Sequence, residues 1–184
     1  MVSSPAFNKT DDTLHGISAD TGDDVWTAGD SGDGLILRFD RTSWIRKVLP
    51  DPSQGFIGLF ADTAPSPTDV WEVRIVQGND RCCPHAAIEH RNGTGWGAVS
   101  SPDPNPNATL SLTAITAISA SDIRTAGFAI EDWDGTSWSI VSSPAFGQLE
   151  EVAAHRDGPS WRSAIRASSW RIDRRRHPER PGAT

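Results

Sequence analysis

Apolar residues occur in short runs along most of the chain, and polar or turn-forming residues separate the runs. The runs are rich in β-branched and aromatic residues, as in Leu35–Phe39, and Gly, Asp, Asn, Ser or Pro bounds them. Two separating segments, at residues 92–94 and 134–136, contain Asn-Gly or Asp-Gly, which tolerate the positive φ of tight hairpin turns. Because no long helical period is present, the pattern predicts strands joined by turns and no helix longer than one turn.

The same pattern of apolar positions returns four times. Each copy contains Pro, Leu, Ala, a first Trp position and a second Trp in that order, and the Leu and the first Trp position are always 12 residues apart, as in Leu14 and Trp26. The first position is occupied by Trp26, Trp71 and Trp161, with Arg124 in place of Trp in the third copy, and the second by Trp44, Trp96, Trp138 and Trp170. The prolines that start the copies lie 45, 52 and 42 residues apart, a period typical of β-propeller blades.

The repeat predicts an all-β chain that forms a segment of a β-propeller with four-stranded antiparallel blades. We expect three full blades near residues 5–49, 50–101 and 102–143, and a degenerate fourth near 144–173. The repeated Trp side chains are expected to pack between blades. Arg124 should be partly exposed or paired, because a lone buried guanidinium is too costly.

Several segments resemble the Trp-rich tandem repeats of bacterial propeller proteins in the broad kelch and galactose-oxidase-like group. They are Asp-Val-Trp at 24–26 and 69–71, Trp133 to Trp138, and Ser-Ser-Pro at 142–144, and the resemblance covers residues 2 to about 161. It implies the fold and an extracellular or cell-surface location, but little about activity, since one fold hosts many functions. The copper and sialidase-type sites of such propellers use tyrosine, which this chain lacks, so we expect no catalytic residue and no cofactor.

The charge is divided between an acidic body and a basic end. Residues 1–154 hold nine Lys or Arg and 21 Asp or Glu, whereas residues 155–184 hold eight Arg and three acids. The repeat loses its pattern after Trp161, and we expect a basic, disordered tail over 162–184. The acidic body argues against nucleic-acid binding, because backbone phosphates repel it. No run approaches the roughly 20 apolar residues of a membrane span.

Both ends of the chain bear on its completeness. Val2–Pro5 matches Val141–Pro144, the end of a blade's last strand, but no Trp precedes it. We therefore expect a truncated start, with no signal peptide in this chain, and a shifted reading frame would account for the altered pattern after Trp161. An open arc of blades exposes apolar surface, so self-association that closes a ring, or aggregation, is expected.

Adjacent thiols lie in the long variable segment of the second copy, Cys82-Cys83-Pro84-His85. Three states are open: a vicinal disulfide, free thiols, or a soft-metal site that includes His85. His90 is a further ligand candidate, with packing as the alternative. Four ligands are normally needed and no second Cys pair exists, so no metal site is predicted and these residues are weak candidates.

These features favour non-catalytic recognition, with loops on one face contacting a glycan or a protein ligand. Two other classes stay open. One is a fragment of a secreted enzyme whose catalytic residues lie outside this chain, and the other is a structural spacer made of repeats. The sequence contains neither a nucleophile elbow nor a phosphate-binding Gly-rich loop.

Overall fold

The structure, a computed structural model, describes residues 12–30, 34–47, 55–77, 84–102, 112–142, 148–157 and 160–167. These residues form strands joined by turns and bends. No helix occurs among them, and so none that could cross a membrane. The strands fall into three four-stranded antiparallel sheets and one two-stranded sheet. The prediction of an all-β chain with three full blades and a reduced fourth is therefore confirmed.

Each of the three complete sheets contains four strands in chain order. Blade 1 consists of β1 (Thr13–Thr21), β2 (Asp24–Asp30), β3 (Leu35–Phe39) and β4 (Trp44–Lys47). Blade 2 consists of β5 (Gly55–Ser66), β6 (Asp69–Gln77), β7 (His85–Asn92) and β8 (Trp96–Val99). Blade 3 consists of β9 (Leu112–Ser119), β10 (Asp122–Gly127), β11 (Ile130–Trp133) and β12 (Trp138–Val141). The fourth sheet pairs β13 (Leu149–Asp157) with β14 (Ser160–Ala167).

The fourth sheet reaches into the segment expected to be a tail. Strand β14 pairs with β13 as far as Ala167, so residues 162–167 are strand backbone. In this stretch Arg162, Ala164 and Arg166 alternate with Ser163, Ile165 and Ala167, so the arginines fall on one side of the alternation and Ile165 on the other, which is a strand pattern. The rest of the expected tail, residues 168–184 with Trp170, lies outside the described residues.

The first strand of each sheet is the inner one, because β1, β5, β9 and β13 contact one another in succession. Apolar cores fill the boundaries between successive sheets. Between blades 1 and 2 the core contains Trp26, Ala28, Ile36, Leu59, Ala64 and Val70. Between blades 2 and 3 it contains Trp71, Val73, Ile88, Leu112, Ile115, Ile123 and Trp138. The neighbours Val70 and Trp71 thus enter different cores, so both faces of blade 2 are buried.

Gly16 sets the approach of β5 to β1. A Cβ atom on this residue would lie 2.8 Å from the Cα of Ala61 and 2.9 Å from a carboxylate oxygen of Asp62. Both distances are shorter than real side chains allow, so any larger residue would push the inner strands of blades 1 and 2 apart.

The turn between the third and fourth strands is capped in the same way in all three blades. An Oδ1 atom accepts hydrogen bonds from two backbone N–H groups and from a Thr hydroxyl; its owners are Asp40, Asn92 and Asp134. The next residue has a positive φ, which is 80° at Arg41, 91° at Gly93 and 96° at Gly135. The predicted hairpin turns at 92–94 and 134–136 are confirmed, and Arg41 adopts the same backbone conformation without being glycine.

Candidate functional site

The repeated Trp positions lie at the blade boundaries. Trp26 and Trp71, at the first position, are each 1% exposed. Trp96 and Trp138, at the second position, contact them from the following blade. This packing leaves Trp26 and Trp71 no surface for a ligand.

For two further repeated Trp residues, Trp44 and Trp161, no contact across a blade boundary is described. Trp44, at the second position of blade 1, is half-buried and packs on Phe39 with ring centroids 5.4 Å apart. Trp161 belongs to β14, and its side chain lies outside the described residues.

A charged side chain of the third strand covers the first Trp of blade 1. The guanidinium of Arg38 lies over the ring of Trp26, 5.4 Å from its centroid. Its Nε and one terminal nitrogen each donate to a carboxylate oxygen of Asp24 at 2.8 Å, and these hydrogen bonds raise the pKa of Arg38. The arrangement is a bidentate ion pair that shields the indole.

His90 has the corresponding position in blade 2. Its ring stacks on Trp71 at 3.9 Å between centroids, with the planes 14° apart. Its Nε2 lies 2.7 Å from Oδ1 of Asp69, which also accepts a hydrogen bond of 2.9 Å from the Trp71 indole. His90 thus packs on Trp71 and is hydrogen-bonded to Asp69. Packing was the alternative that the sequence left open beside metal binding.

In blade 3 the basic residue lies on the second strand and the acidic residue on the third, the opposite of the arrangement in blade 1. Arg124 takes the Trp position on β10, and its guanidinium forms a bidentate pair with Asp132 on β11. The side chains are 28% and 30% exposed, and the hydrogen bonds to Asp132 raise the pKa of Arg124. Arg124 is therefore both partly exposed and paired.

Three buried carboxylic acids lie side by side across blade 2. Asp62 on β5 is the register partner of Glu72 on β6, and Glu72 is the partner of Glu89 on β7. We call these three residues the acid row; they are 6%, 0% and 1% exposed. Arg74, two residues beyond Glu72 on the same strand face, forms an ion pair with Glu89.

The acid row shifts the ionisation of its own members. Burial, together with the charges of Asp62 and Glu89, raises the pKa of Glu72 well above its usual range. Burial also raises the pKa of Asp62, to about 7. Neither carboxyl oxygen of Glu72 has a hydrogen-bond partner. The neutral acid is therefore the form of Glu72 that this interior tolerates.

The sequence pattern did not reveal the acid row. Both faces of blade 2 are buried, so the alternation of polar and apolar residues does not mark an interior polar position. Comparing the copies residue by residue would have found it. At the positions of Asp62 and Glu72, blade 1 has Ile17 and Thr27 and blade 3 has Ile115 and Thr125.

Cys82 and Cys83 lie outside the described residues, so the three states named from the sequence, a vicinal disulfide, free thiols and a metal site, all stay open. His85 is the first residue of β7 and is the register partner of Val76. Within the described ranges, no three or more His, Cys, Asp or Glu side chains are placed to hold a metal ion.

A cleft of about 500 Å³ opens between blades 2 and 3. The residues that line it are apolar or bear hydroxyl groups, and none is charged: Val99, Ser100, Ser101, Pro102, Trp133, Thr136, Ser137 and Trp138. Trp133 is half-buried, with its ring centroid 4.9 Å from that of Trp71 and 5.6 Å from that of Trp138. We call this site the Trp133 cleft. It offers a fixed aromatic surface surrounded by hydrogen-bonding groups.

Comparison with known proteins bears on the fold. No protein-family model and no curated protein matches the chain. Among solved structures, "YCF48 bound to D1 peptide" matches with a TM-score of 0.52 and 15% identity, over 83% of this chain and 50% of that one. YCF48 from Cyanidioschyzon merolae matches with a TM-score of 0.51 and 14% identity, over 90% of this chain and 59% of that one. This chain therefore spans between half and three fifths of the structures it matches, and its fold is that of a β-propeller.

Proposed function

We propose that this chain is a non-catalytic binding unit whose ligand is a protein segment held in the Trp133 cleft. The observation that carries the proposal is the composition of the cleft. It joins a half-buried Trp and a Pro to four hydroxyl-bearing residues and contains no charged residue. Such a surface suits an extended, uncharged stretch of polypeptide.

The size and chemistry of the cleft fit this ligand. Its volume, about 500 Å³, lies within the roughly 300–1,000 Å³ of typical ligand pockets. The Trp133 ring can hold an apolar or proline side chain, because partly buried aromatic rings are the usual anchors of peptide recognition. The hydroxyls of Ser100 and Ser101 can donate to or accept from the ligand backbone, and the Thr136 hydroxyl, which donates to Asp134, can still accept. Anchoring would thus combine one apolar contact with several neutral hydrogen bonds.

Two further observations support binding over catalysis. One of the matching propellers was solved with a bound peptide, which makes a peptide a reasonable class of ligand to test. The acids and bases beside the Trp positions are also paired with one another, as in Asp24 with Arg38 and Asp132 with Arg124, which is a structural arrangement. An extracellular or cell-surface location, as the resemblance to exported propellers implies, is part of this proposal.

A library of random peptides displayed on phage, panned against the full chain, tests the proposal. The enriched consensus peptide would be synthesised and titrated by calorimetry against the wild type and Trp133→Ala. We expect Trp133→Ala to weaken binding by about tenfold or more, as for a buried aromatic anchor. Trp44→Ala is the matched control, because Trp44 is also half-buried but lies in blade 1; its affinity should stay within about twofold of the wild type.

Three results would count against the proposal. Enrichment of no peptide, together with glycan-array binding that Trp133→Ala removes, would assign the cleft to a glycan. An equal loss of affinity in Trp133→Ala and Trp44→Ala would place the peptide elsewhere. A Trp133→Phe variant that regains the thermal unfolding temperature but not the binding would show that the aromatic surface is not the anchor.

A further inference from the structure

The acid row lies in the boundary between blades 1 and 2. On β6, Glu72 shares a strand face with Val70, which packs in the core with Trp26 of blade 1. Asp62 reaches across the boundary, where it accepts hydrogen bonds from the Ser18 hydroxyl and the backbone N–H of Ala28. The row is therefore an element of the contact between two blades.

The acid row contains more carboxyl groups than the cation beside it can neutralise. On the blade 2 side, strand register places these ionisable residues on the face toward blade 1: Asp62, Glu72, Arg74, His85, Glu89 and Arg91. On the blade 1 side, strand register places Asp24, Asp30, Arg38 and Lys47 on the face toward blade 2. His15 of β1 also contacts blade 2, because its ring stacks on Phe60 of β5. Arg38 is engaged with Asp24, and Arg91 lies over the Trp26 ring. Arg74 is the cation that acts on the acid row directly, because it forms the ion pair with Glu89 and its charge acts on Glu72.

We propose that the acid row is a proton-operated latch, which holds blades 1 and 2 together while Asp62 and Glu72 are protonated and loosens their boundary when the protons are lost.

Charge balance gives the direction of the latch. With all three acids ionised, the single positive charge of Arg74 leaves two negative charges uncompensated. The described residues of blade 1 contribute only two hydrogen bonds to Asp62, from one hydroxyl and one backbone N–H. Separation of the blades would let water solvate these charges, so ionisation favours the open boundary. With Asp62 and Glu72 neutral, the ion pair of Arg74 and Glu89 balances the site.

The pH window follows from the raised pKa values. A carboxyl group with a raised pKa in the closed state stabilises that state fully below its ordinary value, 3.8 for Asp62, and the stabilisation is lost as the pH rises to about 7. Opening constant here means the equilibrium ratio of the open to the closed boundary. Between those pH limits it rises about tenfold per pH unit for each carboxyl group that loses its proton on opening. The pKa of Glu72 is also raised, so deprotonation of Glu72 further destabilises the closed boundary as the pH rises.

Hydrogen exchange measured by mass spectrometry across pH 4 to 8, corrected for intrinsic exchange rates, tests the latch on the full chain. Protection of β1 and β2 should fall with rising pH by up to about tenfold per unit, whereas protection of β9 and β10 should change much less. Glu72→Gln should flatten the pH dependence of β1 and β2. Glu131→Gln is the matched control, because Glu131 is a buried acid of blade 3 at the position of Glu89; it should leave that dependence unchanged.

A pH-independent protection of β1 and β2 in the wild type would overturn the latch, as would an unchanged pH dependence in Glu72→Gln. If Glu72→Gln does not fold, Asp62→Asn replaces it with the same expected flattening. A loss of protection that is equal in all strands would show general unfolding in place of a latch and would also contradict the proposal.

Discussion

Trp138 meets Trp71 edge-on across the boundary of blades 2 and 3, with ring centroids 5.7 Å apart and ring planes at 78°. Trp96 and Trp26 repeat this arrangement one boundary earlier, at 6.3 Å and 80°. The second Trp of a blade therefore packs on the first Trp of the blade before it. The contact fixes the position of both residues, because a shift of either one along its strand would separate the rings.

Trp71→Ala is expected to destabilise the chain by about 3–5 kcal/mol, since it removes a fully buried aromatic side chain from the core of two blades. Urea unfolding followed by circular dichroism would measure the loss. Trp44→Ala should cost clearly less, because Trp44 is half-buried and contacts Phe39 of its own blade. Equal losses in the two variants would contradict the assignment of Trp71 to the boundary.

The pair of Arg124 and Asp132 should contribute modestly to stability. Its side chains are about 30% exposed, so solvent screens the charges, and a double-mutant cycle with Arg124→Met and Asp132→Asn should give a coupling of about 1 kcal/mol or less. The coupling should shrink in 1 M salt. A coupling of several kcal/mol that does not respond to salt would indicate a buried pair instead.

Arg41→Gly should stabilise the chain by about 0.5–1 kcal/mol, because Arg41 has a φ of 80° that glycine adopts without strain. The lost ion pair with Asp23 is exposed and contributes little, and Asp23→Asn measures that contribution separately. Gly135→Ala is the reverse change and should destabilise by more than about 1 kcal/mol, since the new Cβ would lie 2.9 Å from the Ser121 side chain. Thermal unfolding temperatures should therefore move in opposite directions.

Acid should weaken two of the three turn caps. The backbone N–H of Ser43 and the Thr42 groups hold the pKa of Asp40 at about 2, and the Thr136 hydroxyl and neighbouring N–H groups do the same for Asp134. A lowered pKa means that the caps contribute fully above the ordinary value of 3.8 and that this contribution is lost as the pH falls toward 2.

Asn92 shows how to test this loss, because it forms the same cap with an amide that does not titrate in this range. The double variant Asp40→Asn, Asp134→Asn should lose less stability than the wild type between pH 4 and pH 2. Urea unfolding at both pH values would show the difference. An identical acid loss in both proteins would mean that other carboxyl groups are responsible.

The sequence predicted the strands because the positions of Leu and Trp are fixed by packing that every blade repeats. Leu35–Phe39 was predicted with the bounds the structure has, and the turn at 134–136 follows from the backbone freedom of Gly135. The acid row escaped prediction because a polar residue in a blade buried on both faces has no distinctive spacing. The Trp133 cleft depends on how blade 2 approaches blade 3, and the pattern along one strand carries no information about that distance.

The turn caps have a consequence for the order of folding. Each cap joins residues two or three positions apart, whereas the bond between Ser18 and Asp62 joins residues 44 positions apart. Closing a short loop costs less entropy and takes less time than closing a long one. The hairpins of third and fourth strands are therefore expected to nucleate independently, and the docking of one inner strand on the next would be the late, rate-limiting step.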